Sequence, residues 1–228
     1  ATAGRAKMSN EPMWNLYRDY YSDDNYADTF IQNALSPTGA WASRSDALRA
    51  ELSAKGAKYQ AVWMYVVHEM EDAVADCIAG DIFDNEDSNA AGDSPHAWDE
   101  GWAFYSGSLE GMDGSGTGYL MYDLADKRGP QVGTIADSGT SLANTEALAV
   151  ANASLAKILS SDCNGVAEEL LKFVTQMTIP PLQGMIRYFY LADPMVNGGS
   201  CTDGVCTYDK SWAEGWAFAA AVLPQIDR

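Results

Sequence analysis

Apolar residues recur at helical spacing along almost the whole chain, and no stretch alternates with the two-residue period of a half-buried strand. Residues 11–35 carry aromatic-rich amphipathic segments, broken near Ser22 and ended by Ser36-Pro37. A long helix or helix pair is predicted from Ser43 to Ala79, with Ser43-x-x-Asp46 as a capping-box variant and Gly56 as a break or kink. Residues 80–94 read as an acidic loop. Ser94-Pro95 then caps a helix that ends near Gly107 or Gly111. A glycine loop spans 111–118. A short helix follows from Tyr119 to Arg128, stopped by Gly129 and Pro130. Further helices are predicted over 140–160, Val166–Thr178 and Leu182–Leu191, with Pro180-Pro181 as a break, and the chain ends on a last helix.

One pattern is written twice. Trp-Asp-Glu-Gly-Trp-Ala-Phe at 98–104 returns as Trp-Ala-Glu-Gly-Trp-Ala-Phe at 212–218, an offset of 114 positions. Lys58-Tyr59 and Lys172-Phe173 match at the same offset. Such a repeat reads as internal duplication. The predicted fold is therefore all-α: a helical bundle of two duplicated, pseudo-symmetric halves with little or no sheet. Its parts are an N-terminal helical extension (1–56), a first half (57–136) and a second half (137–228) within one domain. The second copy ends ten residues after Phe218, so the second half reads as truncated.

On a helix, Trp98, Trp102, Tyr105 and Leu109 fall within about 60°, which is a core stripe. Gly101 and Gly215 cost helix propensity and are explained by close approach of a neighbouring helix. Glu100 and Glu214 are harder to explain by packing, because Asp99 becomes Ala213 in the second copy while the glutamate stays. They are candidate carboxylate ligands, able to share a cation if the halves pack about a twofold axis. The plainer explanation is a glutamate that bonds a neighbouring helix end.

A second candidate is Val67-His68-Glu69-Met70-Glu71-Asp72, continued to Asp76. His68, Glu69, Asp72 and Asp76 share an arc of roughly 100°, with Tyr65 inside it. Oxygen donors with one histidine suit iron, manganese or zinc. The apolar residues Tyr59, Trp63, Val66, Met70, Val74 and Cys77 centre on the opposite side, which makes the acidic arc the expected solvent face. Glu-x-x-His occurs nowhere, and His68-Glu69-x-x-Asp72 lacks the second histidine of a zincin. The acidic loop (Asp81, Asp84, Glu86, Asp87, Asp93) and the turn from Asp113 to Gly118 are candidate calcium loops. The latter has Leu124 where an EF-hand requires glutamate.

The formal net charge of −18 over 228 residues opposes nucleic acid and anionic membrane as partners and suits cations. No apolar run approaches the ~20 residues of a transmembrane helix. No signal peptide is present, and a start at Ala1 fits a processed or trimmed chain. Four cysteines form an even set: Cys201 and Cys206 flank an Asp-Gly turn and can close a small loop, leaving Cys77 and Cys163 to pair across the fold. With the sequon Asn152-Ala-Ser154, they favour an oxidising, extracytoplasmic setting. No nucleophile elbow, phosphate loop or dinucleotide fingerprint is present.

Four blocks resemble the algal iron-assimilation proteins, which are secreted or periplasmic and induced by low iron or high carbon dioxide. They are Trp98–Gly111, Tyr122–Arg128, Ile179–Tyr188 and Trp212–Pro224. Where that family continues Lys-Arg with Cys, this chain has Gly129. The resemblance implies an extracytoplasmic, non-catalytic iron-binding protein that assists iron assimilation at the cell surface, with surface or matrix proteins as partners. The residues themselves nominate Glu100, Glu214, His68, Glu69, Asp72 and Asp76. Two other functions fit the same residues: a structural surface or matrix protein without a metal site, and a carboxylate-metal oxidase.

Overall fold

The computed structural model describes residues 7–82, 93–107, 118–202 and 205–227. Their helices are α1 (Pro12–Tyr21), α2 (Tyr26–Leu35), α3 (Asp46–Gly56), α4 (Trp63–Ala79), α5 (Ser94–Ser106), α6 (Met121–Val132), α7 (Leu142–Leu159), α8 (Cys163–Ala192), α9 (Pro194–Asn197) and α10 (Asp209–Ile226). A 3-10 turn spans Gly39–Trp41, and a π-helical stretch, Ala57–Val62, joins α3 to α4 without a break. The sole strand pairing between named strands among the described residues is the two-residue antiparallel hairpin of β1 (Cys201–Thr202) and β2 (Val205–Cys206). The all-α expectation holds.

Short polar side chains set the helix starts. Ser45, Asp93, Ser141 and Asp193 each accept a backbone N–H two or three residues on, at 3.3, 3.0, 3.1 and 2.8 Å. The cap of α3 is thus Ser45 rather than Ser43. The cap of α5 is Asp93, one residue before the expected Ser94. The Ser94 hydroxyl instead donates to the Ala73 carbonyl of α4 at 2.7 Å.

Three expected breaks are absent. Gly56 passes into the π-helical stretch instead of ending α3. Helix α6 runs through Gly129 and Pro130 and stops at Gly133, whose φ of 74° suits a glycine. Helix α8 runs through Pro180 and Pro181 for 30 residues. An interior proline costs about 3 kcal/mol in a helix. Here both prolines are buried, so packing of the flanking turns overrides the local penalty.

The chain forms two compact units, one of Ala1–Val62 with Pro181–Arg228 and one of Trp63–Pro180. Their edges fall inside continuous helical runs, at 62/63 and 180/181. In the first unit, Phe30, Trp41, Leu48, Leu52, Trp212, Ala213 and Ala217 form an apolar cluster. Tyr17 and Tyr21 of α1 donate their hydroxyls to the Ala221 and Ala220 carbonyls of α10. The Cys201–Cys206 disulfide closes the hairpin.

In the second unit, Trp98, Trp102, Tyr105, Tyr122 and Phe173 pack ring against ring, so Trp98, Trp102 and Tyr105 of the predicted stripe pack into the core, while Leu109 lies outside the described residues. The buried Tyr105 hydroxyl donates to Asn144 Oδ1 at 2.6 Å, and Asn144 Nδ2 donates to the Tyr122 carbonyl and to Asp126. Gly129 has a packing reason: a Cβ there would sit 2.9 Å from the Thr134 carbonyl oxygen. The Cys77–Cys163 disulfide ties the end of α4 to the start of α8.

Candidate functional site

Helices α4 and α5 pair antiparallel, as their contacts show: Tyr65 meets Phe104, Met70 and Val66 meet Gly101, and Ala73 meets Ser94. The pairing depends on Gly101. A Cβ at that position would lie 2.8 Å from Met70 Cγ and 3.3 Å from the Val66 carbonyl oxygen. Gly215 plays a similar local part in the other unit, where a Cβ would come within 3.0 Å of the Phe189 ring. Both glycines therefore mark close helix approach, as the sequence predicts.

Part of what looked like a solvent face of α4 is buried. His68 and Glu69 are only 4% and 6% exposed, whereas Asp72 is exposed and Asp76 half-buried. The sequence reading erred because it treated α4 as a helix with one buried side. Helix α5 meets the side that carries Val66, Met70 and Ala73, and the burial of His68 and Glu69 shows that more than this side is covered.

Across this seam the structure gathers Tyr65, His68, Glu69 and Asp72 from α4 with Glu100 from α5. Burial raises the Glu69 pKa above its ordinary value. The Tyr65 hydrogen bond opposes that rise, the Glu100 and Asp72 charges add to it, and His68 counters it. The hydrogen bond to Glu69, with burial, pushes the Tyr65 phenol up to about 12, so it stays protonated at neutral pH. Glu100 has a 47% exposed side chain and stands 3.3 Å from His96 Nε2, one helical turn away. Asp76 lies one turn beyond Asp72. Burial first, then the charges of Asp72, Asp81 and Asp93, push it up to about 6. The seam is a place where negative charge accumulates against the cost of desolvation.

Glu214 has a different setting. It is buried in the first unit and paired with Lys55 at 3.3 Å, beside a second pair, Lys210 with Glu51 at 3.1 Å. An ammonium thus occupies the place a cation would take. The glutamate of the Trp-x-Glu-Gly-Trp segments stands once in an exposed, histidine-paired position and once in a buried ion pair. Of the six nominated residues, His68, Glu69, Asp72, Asp76 and Glu100 share the α4/α5 pair, and Glu214 does not. Sequence reasoning missed His96 and Phe104 as members of the seam. The i,i+4 spacing of His96 and Glu100 was the available signal.

Among the described residues, no three of His, Cys, Asp and Glu converge closely enough to hold a metal ion as they stand. Of the candidate calcium loops, 84–92 and 113–117 lie outside the described residues. No described helix is long and apolar enough to cross a membrane.

A family model described as low iron-inducible periplasmic protein matches residues 5–194. No curated protein and no solved structure matches the chain.

Proposed function

The chain belongs to the family of low iron-inducible periplasmic proteins, and from that premise we propose that it binds iron as cargo outside the cytoplasm, without turnover. The observation that supports this reading is the α4/α5 seam, where Glu69, Asp72 and Glu100 hold like charges against one another. A bound cation would relieve both the repulsion and the desolvation of Glu69. Carboxylate oxygens are the donors that hard cations such as iron(III) prefer.

Each residue has a part in the proposal. Glu69, fixed by the Tyr65 hydrogen bond, is the anchor. Glu100 and Asp72 have exposed side chains with room to turn toward it, Glu100 by leaving His96, so the site assembles on the cation rather than before it. His68 is the nitrogen donor beside the anchor, and Asp76 extends the negative field by one turn. His96 holds Glu100 until the cation arrives. Glu214 stays with Lys55 and serves the first unit as a buried ion pair.

The absence of a ready-made triad among the described residues favours the rival reading, a structural surface or matrix protein. Calorimetry on protein purified without chelator separates the two. Iron(II) is titrated under anaerobic conditions and iron(III) is supplied as its citrate complex. Saturable binding with a fixed stoichiometry supports the proposal. Heats no larger than dilution with both ions would end it. An oxygen-consumption assay with iron(II) addresses an oxidase, and a rate equal to that of free iron supports a carrier.

A further inference from the structure

We propose that Asn152 carries an N-linked glycan that covers an uncharged apolar face of α7. Asn152-Ala153-Ser154 is the one Asn-x-Ser/Thr sequence in the chain, and the family is periplasmic, so the chain passes outside the cytoplasm. In the fold, Asn152 is exposed midway along α7. Its neighbours on the exposed side of the helix carry no charge. Thr145, Leu148, Ala149, Leu155, Ala156 and Leu159 fall within about 60° on either side of it. All of these are exposed except the half-buried Leu155, with Leu148 at 44% and Leu159 at 62%. None is charged, in a chain of net charge −18. The nearest charges on the helix, Glu146 and Lys157, lie outside this arc, and Lys157 is turned to Glu169 at 2.9 Å. The opposite face, with Ala143, Ala147, Ala151, Ser154 and Ile158, is the buried one. A glycan rooted at Asn152 would stand at the middle of the exposed stripe and reach both leucines along the helix axis.

The modification joins the Asn152 carboxamide nitrogen to the anomeric carbon of a lipid-diphosphate-linked oligosaccharide. The new C–N bond replaces the C–O bond to the diphosphate, the amide loses one proton, and the lipid diphosphate leaves. The fold also fixes when this occurs. Ser154 is fully buried and its hydroxyl donates to the Val150 carbonyl at 3.0 Å. The sequon is therefore presented only by the chain before α7 forms.

The test is the chain secreted through a eukaryotic endoplasmic reticulum, compared with Asn152→Gln and Ser154→Ala. Peptide N-glycosidase lowers the mass of the unsubstituted chain in a single step and leaves residue 152 deamidated in the peptide map; neither variant shows the step. An unmodified Asn152 peptide, in cells that glycosylate a reporter sequon, overturns the assignment. The covering role has its own readout. Fluorescence of an apolar-surface dye rises when the glycan is removed enzymatically from folded protein, and equally in Asn152→Gln. Unchanged dye binding after removal overturns that role.

Discussion

Asp76→Asn should stabilise the protein at neutral pH and do nothing at pH 3. The Asp76 carboxyl is lifted from its ordinary 3.8 to about 6, which disfavours the ionised form by about 3 kcal/mol at full strength. Asp76 is half-buried, and solvent screening reduces that figure to about 1 kcal/mol. The sign follows from linkage. An acid whose folded pKa is raised binds its proton more tightly in the fold, so its penalty is absent below 3.8, grows between 3.8 and 6, and is complete above 6. The asparagine variant removes the charge at every pH. Urea denaturation at pH 7.5 should show a higher midpoint for the variant with an unchanged slope, and the gain should shrink in high salt. Coincident curves at pH 3 complete the pattern. A variant less stable than the parent at pH 7.5 would refute the reasoning. Asp76 would then be a hydrogen-bonding residue of the fold, and the seam would not be a place where charge is held at a cost.

Other outcomes follow from packing and cross-linking. Gly101→Ala gains about 1 kcal/mol of helix propensity but forces a Cβ within 2.8 Å of buried Met70, and overpacking of about 1–3 kcal/mol outweighs the gain; Gly215→Ala meets the partly exposed Phe189 ring and should be the milder of the two in chemical denaturation. Tyr105→Phe leaves Asn144 Oδ1 without its buried donor and should cost about 1–2 kcal/mol by the same assay. Replacing Cys77 and Cys163 by serine opens a loop of 86 residues and should cost about 4.6 kcal/mol, against about 2 kcal/mol for the five-residue separation of Cys201 and Cys206, as read from thermal midpoints.

Helical periodicity carried most of the secondary structure, and the cysteine count carried both disulfides. Punctuation by proline and glycine carried less. Gly129-Pro130 and Pro180-Pro181 look like stops, yet both lie inside helices; Pro180 and Pro181 are buried there, whereas Pro130 is exposed in the last turn of α6. Local rules price a proline against an isolated helix, and tertiary burial is not visible to them. The same blindness affected the candidate site. His68 and Glu69 sit on the polar side of a single-helix wheel, yet both are buried by the surrounding fold, which the wheel does not contain. The glutamate written twice was legible as a repeat. Its two fates were not, because Lys55 and His96 are brought to Glu214 and Glu100 by different local arrangements.

The most direct test of the account is iron affinity in a variant carrying Glu69→Gln and Glu100→Gln together. Both changes keep side-chain size and remove charge at the seam, and neither touches the disulfides or the aromatic core. Calorimetry with the iron(III)-citrate complex should show binding at least ten-fold weaker than in the unsubstituted protein, a loss of about 1.4 kcal/mol or more, with an unfolding transition no lower than that of the unsubstituted protein. Equal affinity and stoichiometry in the two proteins would contradict the assignment of iron to the α4/α5 seam.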